Sequence, residues 1–281
     1  MSCIAVDDDQ AGVCANCGKS SNGDGGTAVK LKNCTACLLV KYCGVDCQMA
    51  HRERHKKACK QRAAELKDEQ LYNQGHERPE GDFCPICTLL IPLPIDRHSL
   101  IMPCCMKRIC QGCHGVSLVR KMGDCCAFCR TPYPDNEADE LAMIQARVAK
   151  KDPSAIVRLG ENYCFAQLGL QEDMQKAIEL WAEAAELGSL DALYHLGNAY
   201  ERGKGVPEDG EKGAEFYAKA AMQGHAGSRY NLGCYEGNRG NHDRAVRHFL
   251  ISAKMGHKDA VENIKGCTWQ GLRPKSSTYR H

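Results

Sequence analysis

Seventeen of the 20 cysteines in this 281-residue chain lie before residue 131, and most stand in pairs with two or three residues between them. Cys84-Pro85-Ile86-Cys87, Cys110-Gln111-Gly112-Cys113 and Cys126-Ala127-Phe128-Cys129 are three C-x-x-C pairs in one short stretch, with Cys104 and Cys105 between the first two. A tight turn converges both sulfurs of such a pair on one point. In a reducing compartment these pairs bind metal more often than they form disulfides. The opening, Met1 to Asp9, has no basic segment followed by an apolar run, the mark of an export signal. The thiols are therefore expected to hold zinc in a cytoplasmic or nuclear protein. A structural zinc contributes about 10–16 kcal/mol to folding, against roughly 3–5 kcal/mol from so small an apolar core, so the metal decides whether these modules fold.

The first module reads Cys14-x2-Cys17, a long gap, Cys34-x2-Cys37, Cys43-x3-Cys47 and His55-x3-Cys59. That is enough for two closed tetrahedral sites, and the x3 pairs suit one helical face, where i and i+4 are neighbours. Tyr42-Cys43-Gly44-Val45-Asp46-Cys47-Gln48 and His55-Lys56-Lys57-Ala58-Cys59 resemble the most characteristic part of the MYND zinc finger. The resemblance implies interleaved ligands, Cys14, Cys17, Cys43 and Cys47 in one site and Cys34, Cys37, His55 and Cys59 in the other. It also implies binding of short proline-rich peptides beside Gln48 and a tryptophan position. Here that position is Arg52, and Ser20 to Gly26 enlarge the first gap. His51 reads as an exposed helical histidine, and Arg52, Arg54, Lys56, Lys57, Lys60 and Arg62 as a solvated helix face.

The central module, Cys84 to Arg130, resembles a RING finger, whose first and third ligand pairs hold one zinc and whose second and fourth hold another. Carried over, Cys84, Cys87, Cys110 and Cys113 make a complete first site. The second has Cys105, Cys126 and Cys129, but the family's usual histidine falls on Lys107, a protonated ammonium near neutral pH. Cys104, His114 and Cys125 are the candidates for the fourth ligand, with Cys104 the first choice because adjacent cysteines can both reach one ion. RING ubiquitin ligases dock the conjugating enzyme on an apolar residue of the first knuckle and a basic residue after the last cysteine. Ile86 and Arg130 match those positions, while Ala127 stands where active members carry proline. Such ligases act by positioning a reactive thioester. Cys110 and Cys125 have basic neighbours that lower a thiol pKa, but metal ligation explains their spacing better than a nucleophile does.

Beyond Pro134 the composition turns to Ala, Gly, Leu and Tyr, and the chain repeats itself. Leu159-Gly160, Leu196-Gly197 and Leu232-Gly233 recur, each followed by a tyrosine (Tyr163, Tyr200, Tyr235), as do Ala184-Ala185-x2-Gly188, Ala220-Ala221-x2-Gly224 and Ser252-Ala253-x2-Gly256. Such a period signals a stacked helical-pair solenoid, with the closing glycine as a C-terminal cap. Lys176-Ala177-x3-Trp181-x2-Ala184-Ala185-x2-Gly188 and its copies resemble Sel-one-like repeats, relatives of the tetratricopeptide family. A fourth, partial helix from Asp259-Ala260 caps the stack. Solenoids present a protein-binding surface, and the tyrosine stripe reads as core.

The expected architecture is mainly α: two small zinc-stabilised cross-brace modules followed by an α-solenoid of helix-pair repeats. Its segments are 1–13 (flexible), 14–59 (first finger), 60–82 (helix tail and linker), 83–131 (second finger), 137–268 (repeats) and 269–281 (flexible tail). Four zinc ions are expected. No stretch approaches the roughly 18 apolar residues of a membrane span, so no membrane partner is expected. A net charge of +2 and the lack of recognition-helix spacing argue against nucleic acid. Partners are then proteins, and the function is that of a zinc-binding adaptor or scaffold. The alternative is a RING-type ubiquitin ligase that recruits a conjugating enzyme through the central module and a substrate protein through its flanks.

Overall fold

A computed structural model of the chain describes residues 12–21, 29–118 and 124–271. Most of the N-terminal segment, much of the enlarged first gap and the tail from residue 272 lie outside them. The chain forms two compact units, Met1–Leu71 and Tyr72–His281.

In the first unit β1 (Lys32–Asn33) pairs antiparallel with β2 (Lys41–Tyr42), with Lys32 opposite Tyr42. Helix α1 (Val45–Asn73) begins here and buries a single residue, His55. With no apolar stripe, this helix has little core to pack on. What core there is consists of Cys14, Cys34, Cys37 and Tyr42, with Leu31 and Val40 at its edge. Three of the four fully buried members are sulfur side chains, so the unit coheres around its thiols.

The second unit contains the central cysteine module and the repeats. β3 (Ser99–Ile101) pairs antiparallel with β4 (Arg108–Cys110), with Leu100 opposite Ile109. The short helix α2 (Gln111–Ser117) follows, its first turn capped by the Cys110 sulfur accepting from the Cys113 amide. Ile91, Met102 and Ile109 pack with Cys84 and Cys126 as its core.

Helix α3 (Glu137–Val148) leads into three antiparallel pairs: α4 (Pro153–Cys164) with α5 (Met174–Glu186), α6 (Leu190–Arg202) with α7 (Gly210–Met222), and α8 (Ala226–Asn238) with α9 (His242–Lys254). Helix α10 (Lys258–Gly271) closes the stack. Asp152, Asp173, Ser189 and Asp209 cap their helices by accepting from backbone amides, each cap contributing about 1 kcal/mol.

The repeated Leu-Gly has a packing cause. Within each pair the glycine of the first helix lies under an aromatic ring of the second: Gly160 under Trp181, Gly197 under Tyr217, Gly233 under Phe249. A Cβ at these glycines would stand 2.5, 2.4 and 2.5 Å from the ring atoms. The tyrosine stripe lies at the edge of the core, where Tyr163 packs against the buried residues of the first pair. Tyr163, Tyr200 and Tyr235 are half-buried, and a cation covers each ring, Lys176 at 4.4 Å, Lys212 at 4.1 Å and Arg239 at 5.4 Å.

Although the composition changes near residue 131, the chain on either side packs together. Met106, directly after the Cys104-Cys105 pair, shares a core with Ile144, Ala155 and Leu159. Arg108 of β4 donates to Asp96 at 3.0 Å and lies 3.7 Å from Asp191 of α6. The connector from Tyr72 is also seated on the repeats. The Tyr72 ring lies 4.9 Å from that of His248, and the fully buried Arg229 donates to the Gln74 carbonyl at 2.6 Å and the Ala221 carbonyl at 2.9 Å. Gly75 (φ +65) and Gly224 (φ +91) meet the opposing backbone so closely that a Cβ would fall 1.9 Å from the Ala221 oxygen and 2.1 Å from the Glu77 oxygen.

Candidate metal centres

Four groups of side chains converge so that their ligand atoms lie within 4.8 Å of one another: Cys14, Cys17, Cys43 and Cys47; Cys34, Cys37, His55 and Cys59; Cys84, Cys87, Cys110 and Cys113; and Cys104, Cys105, Cys126 and Cys129. The members of each group are contributed by separated parts of the chain. In the first finger, Cys14 and Cys17 sit on a turn closed by Gly18 N–H donating to the Cys14 carbonyl, and Cys34 and Cys37 on a like turn closed by Leu38 N–H. The remaining ligands come from around the start of α1, where Cys47, His55 and Cys59 fall on one face at steps of four and eight. In the second unit Cys84 N–H donates to Leu89 and Cys126 N–H to Thr131, folding both knuckles into the same kind of loop.

The separations suit zinc. With Zn–S near 2.3 Å a tetrahedral site sets its sulfurs about 3.8 Å apart. Here Cys17 and Cys43 are 3.6 Å apart, Cys34 and Cys59 3.7 Å, Cys87 and Cys110 3.9 Å, and Cys105 and Cys126 3.7 Å. His55 presents Nε2 to the Cys37 sulfur at 3.1 Å. The donor sets, three of four thiols and one of three thiols with an imidazole, are those of closed structural zinc sites, and the protein accommodates four zinc ions.

The electrostatics divide each site between easily and reluctantly ionised thiols. Burial raises the pKa of Cys14, but amides of Cys17, Cys43 and Asn16 outweigh it and bring the thiol down to about 6. Cys84 also falls to about 6, because amides from Cys110, Cys87 and Ile86 overcome the cost of burial. Cys129 reaches about 6 against its burial through the hydroxyl and amide of Thr131, the hydroxyl oxygen lying 3.2 Å away. Cys59 and Cys113 are pushed up to about 12, by burial first and then by neighbouring sulfurs. A cation is what allows the thiols of one site to ionise together.

At the fourth centre the group contains Cys104, whose sulfur lies 3.3 Å from that of Cys129. His114 and Cys125 are outside it. The His114 ring is edge-on to Tyr133 at 6.5 Å, and Cys125 forms an antiparallel bridge with Pro132. Lys107 takes no part in the group and stands over the Phe128 ring at 5.3 Å. Ile86 (46% exposed) and Arg130 both face outward, and Leu89 (68%) and Leu90 (44%) widen the apolar surface beside Ile86.

His51 is not the bare surface histidine its sequence context suggests. Its Nδ1 lies 3.0 Å from the hydroxyl of buried Tyr42, and its ring stacks on that of His55 at 5.8 Å. It thus braces a ligand without joining the group. The four-residue step from His51 to His55 was the available signal; the Tyr42 contact, from a strand, left none.

The MYND finger family model matches residues 14–59, and the Sel1 repeat model matches residues 153–189, 190–225 and 226–257. The chain therefore carries a MYND finger and three Sel1 repeats, and the repeat limits coincide with the helix pairs. The central module has no such match. Among curated proteins none matches the chain. Solved structures similar to it include a Sel1 repeat protein from Oxalobacter formigenes (22% identity, 58% of this chain and 66% of that one, TM-score 0.47). Another is c5321, a protective antigen of uropathogenic Escherichia coli strains with an SLR fold (23% identity, 56% and 33%, TM-score 0.46). A third is Helicobacter pylori cysteine rich protein B (26% identity, 45% and 96%, TM-score 0.35). This chain thus spans just under two thirds of the first and one third of the second.

Proposed function

We propose that this chain is a zinc-dependent adaptor of the cytoplasm or nucleus, which captures proteins through its helical repeats and its fingers and holds them in a set arrangement. The observation that carries the reading is the seam at Met106: the residue after a pair of ligand cysteines lies in the core that begins the repeat array. A metal centre that shares a core with a partner-binding array supports positioning rather than independent reach. Native mass spectrometry of the purified protein should count four zinc ions, and two or fewer would overturn the double brace. Affinity capture should then compare wild type with Cys37→Ser and Cys126→Ser. An adaptor loses different subsets of partners in the two variants, and an unchanged partner set in both would sink the reading.

A second reading is supported by the exposure of Ile86 and Arg130 beside the central metal centres. We infer a RING-type finger that presents this surface to a ubiquitin-conjugating enzyme, while the flanking modules hold the substrate protein. The protein incubated with ubiquitin, activating enzyme and a panel of conjugating enzymes should build chains, and Ile86→Ala should lose them. No chain formation with any conjugating enzyme excludes the ligase and leaves the adaptor.

A further inference from the structure

We propose that the groove along α1 in the first finger is a docking site for an extended acidic peptide. This rests on the reading of the chain as a protein-binding module and assigns a partner chemistry to one surface of it. The groove has a volume of about 390 Å³ and lies within the first unit. Thr35 and Ala36 form its loop side, Met49 and Ala63 belong to the helix side, and Arg52, Lys56 and Lys60 run along the helix edge.

The three cations recur at every fourth residue, so they stand about 6 Å apart along the helix axis. In an extended peptide every second side chain lies on the same face, about 6.6 Å apart. The two periods stay in step over three positions. Carboxylates at alternate positions can therefore meet Arg52, Lys56 and Lys60 in turn, while the intervening side chains turn to the opposite wall, where the exposed Thr35 and Ala36 leave room for apolar residues. Among the described residues no carboxylate pairs with these three cations, whereas Arg62, further along the same helix, is held by Glu65 at 3.1 Å and Glu69 at 2.8 Å. A zinc ion with three thiolates and the neutral His55 carries one negative charge, which leaves the edge cationic.

Proline-rich peptides dock on exposed aromatic beds, and single-stranded nucleic acid needs an aromatic face on which bases stack. Tyr42 is 3% exposed and offers neither. Arg52 occupies the position where an aromatic side chain would have supplied such a bed.

The test is fluorescence anisotropy with the full-length, zinc-loaded protein and short labelled peptides: one alternating Leu with Asp, its Leu–Asn counterpart and a neutral proline-rich sequence. The Asp peptide should bind about tenfold tighter than the other two, and its affinity should fall as salt rises. Arg52→Glu combined with Lys56→Glu should abolish that preference while native mass spectrometry still counts the same number of zinc ions as in wild type. Arg54→Glu combined with Lys57→Glu makes the same charge change outside the groove and should retain it. Equal binding of the Asp and Asn peptides, equal loss in both double variants, or tighter binding of a labelled single-stranded RNA overturns the proposal. Neither double variant touches the repeats, so a failure here is distinguishable from loss of partner capture by the repeat array.

Discussion

Gly233 and Phe249 show how a single missing carbon organises a repeat. Gly233→Ala forces a methyl to within 2.5 Å of the Phe249 ring, an overpacking that costs about 1–3 kcal/mol. Calorimetry should show a lowered Tm, and Phe249→Leu in the same chain should restore part of it. The dipeptide Leu-Gly was legible in the sequence because it recurs, but its aromatic partner was not, since the contact crosses from one helix to the next. His248 makes a second point at this scale. It is fully buried, and burial, followed by the charges of Arg229 and Arg244, pushes its pKa down to about 3. Unfolded, the same imidazole takes a proton near pH 6.5. Between about pH 6.5 and 3 the folded chain therefore binds fewer protons than the unfolded one, and stability falls as pH drops through that window, by up to about 1.4 kcal/mol per pH unit. Above it the group has no effect. His248→Phe should reduce the slope of unfolding free energy against pH by one proton in that window, measured by denaturant titration, and an unchanged slope would contradict the assignment.

The loop between β3 and β4 is the element through which metal chemistry reaches the helices. Cys104 and Cys105 belong to the fourth candidate metal centre, and Met106, the next residue, adopts a left-handed backbone (φ 56) and enters the core with Ile144, Ala155 and Leu159. Met106→Ala should cost about 2–5 kcal/mol and lower hydrogen-exchange protection in α3 and α4 while leaving α9 unchanged. Cys126→Ser should lose one zinc ion by native mass spectrometry and weaken the same two helices. Equal protection in both variants and wild type would separate the centre from the repeats. In the sequence Met106 is one apolar residue in a cysteine-rich loop, and the change of composition near residue 131 draws the eye to a boundary that the packing crosses. The ligand pairs were readable because turns and helix steps fix their spacing locally. Whether Cys104, His114 or Cys125 completed the last group was not, because it depends on how the chain from β3 meets the final knuckle.

For the molecule as a whole, zinc and helix packing support different regions. The repeat cores, built on Trp181, Tyr217 and Phe249, contain none of the sulfur groups that converge in the fingers, whereas the core of the first unit is chiefly sulfur. A strong chelator should therefore unfold the first finger and loosen the central module while circular dichroism keeps most of the helical signal. Complete loss of helix would show that the repeats depend on the metal as well. The solenoid was foreseeable from its period; its attachment to the connector was not, because Arg229 grips main-chain carbonyls of Gln74 and Ala221 and main-chain recognition leaves no pattern of side chains. That grip has a consequence for how the chain can vary. Between Tyr72, held at His248, and Arg78, bonded to Asp82 and to the Ile91 carbonyl, Gln74 and Glu77 can be respelled with little effect. Their number cannot change, since one extra residue would unseat an anchor at one end or the other. The connector works as a ruler, indifferent to what is written on it and strict about its length.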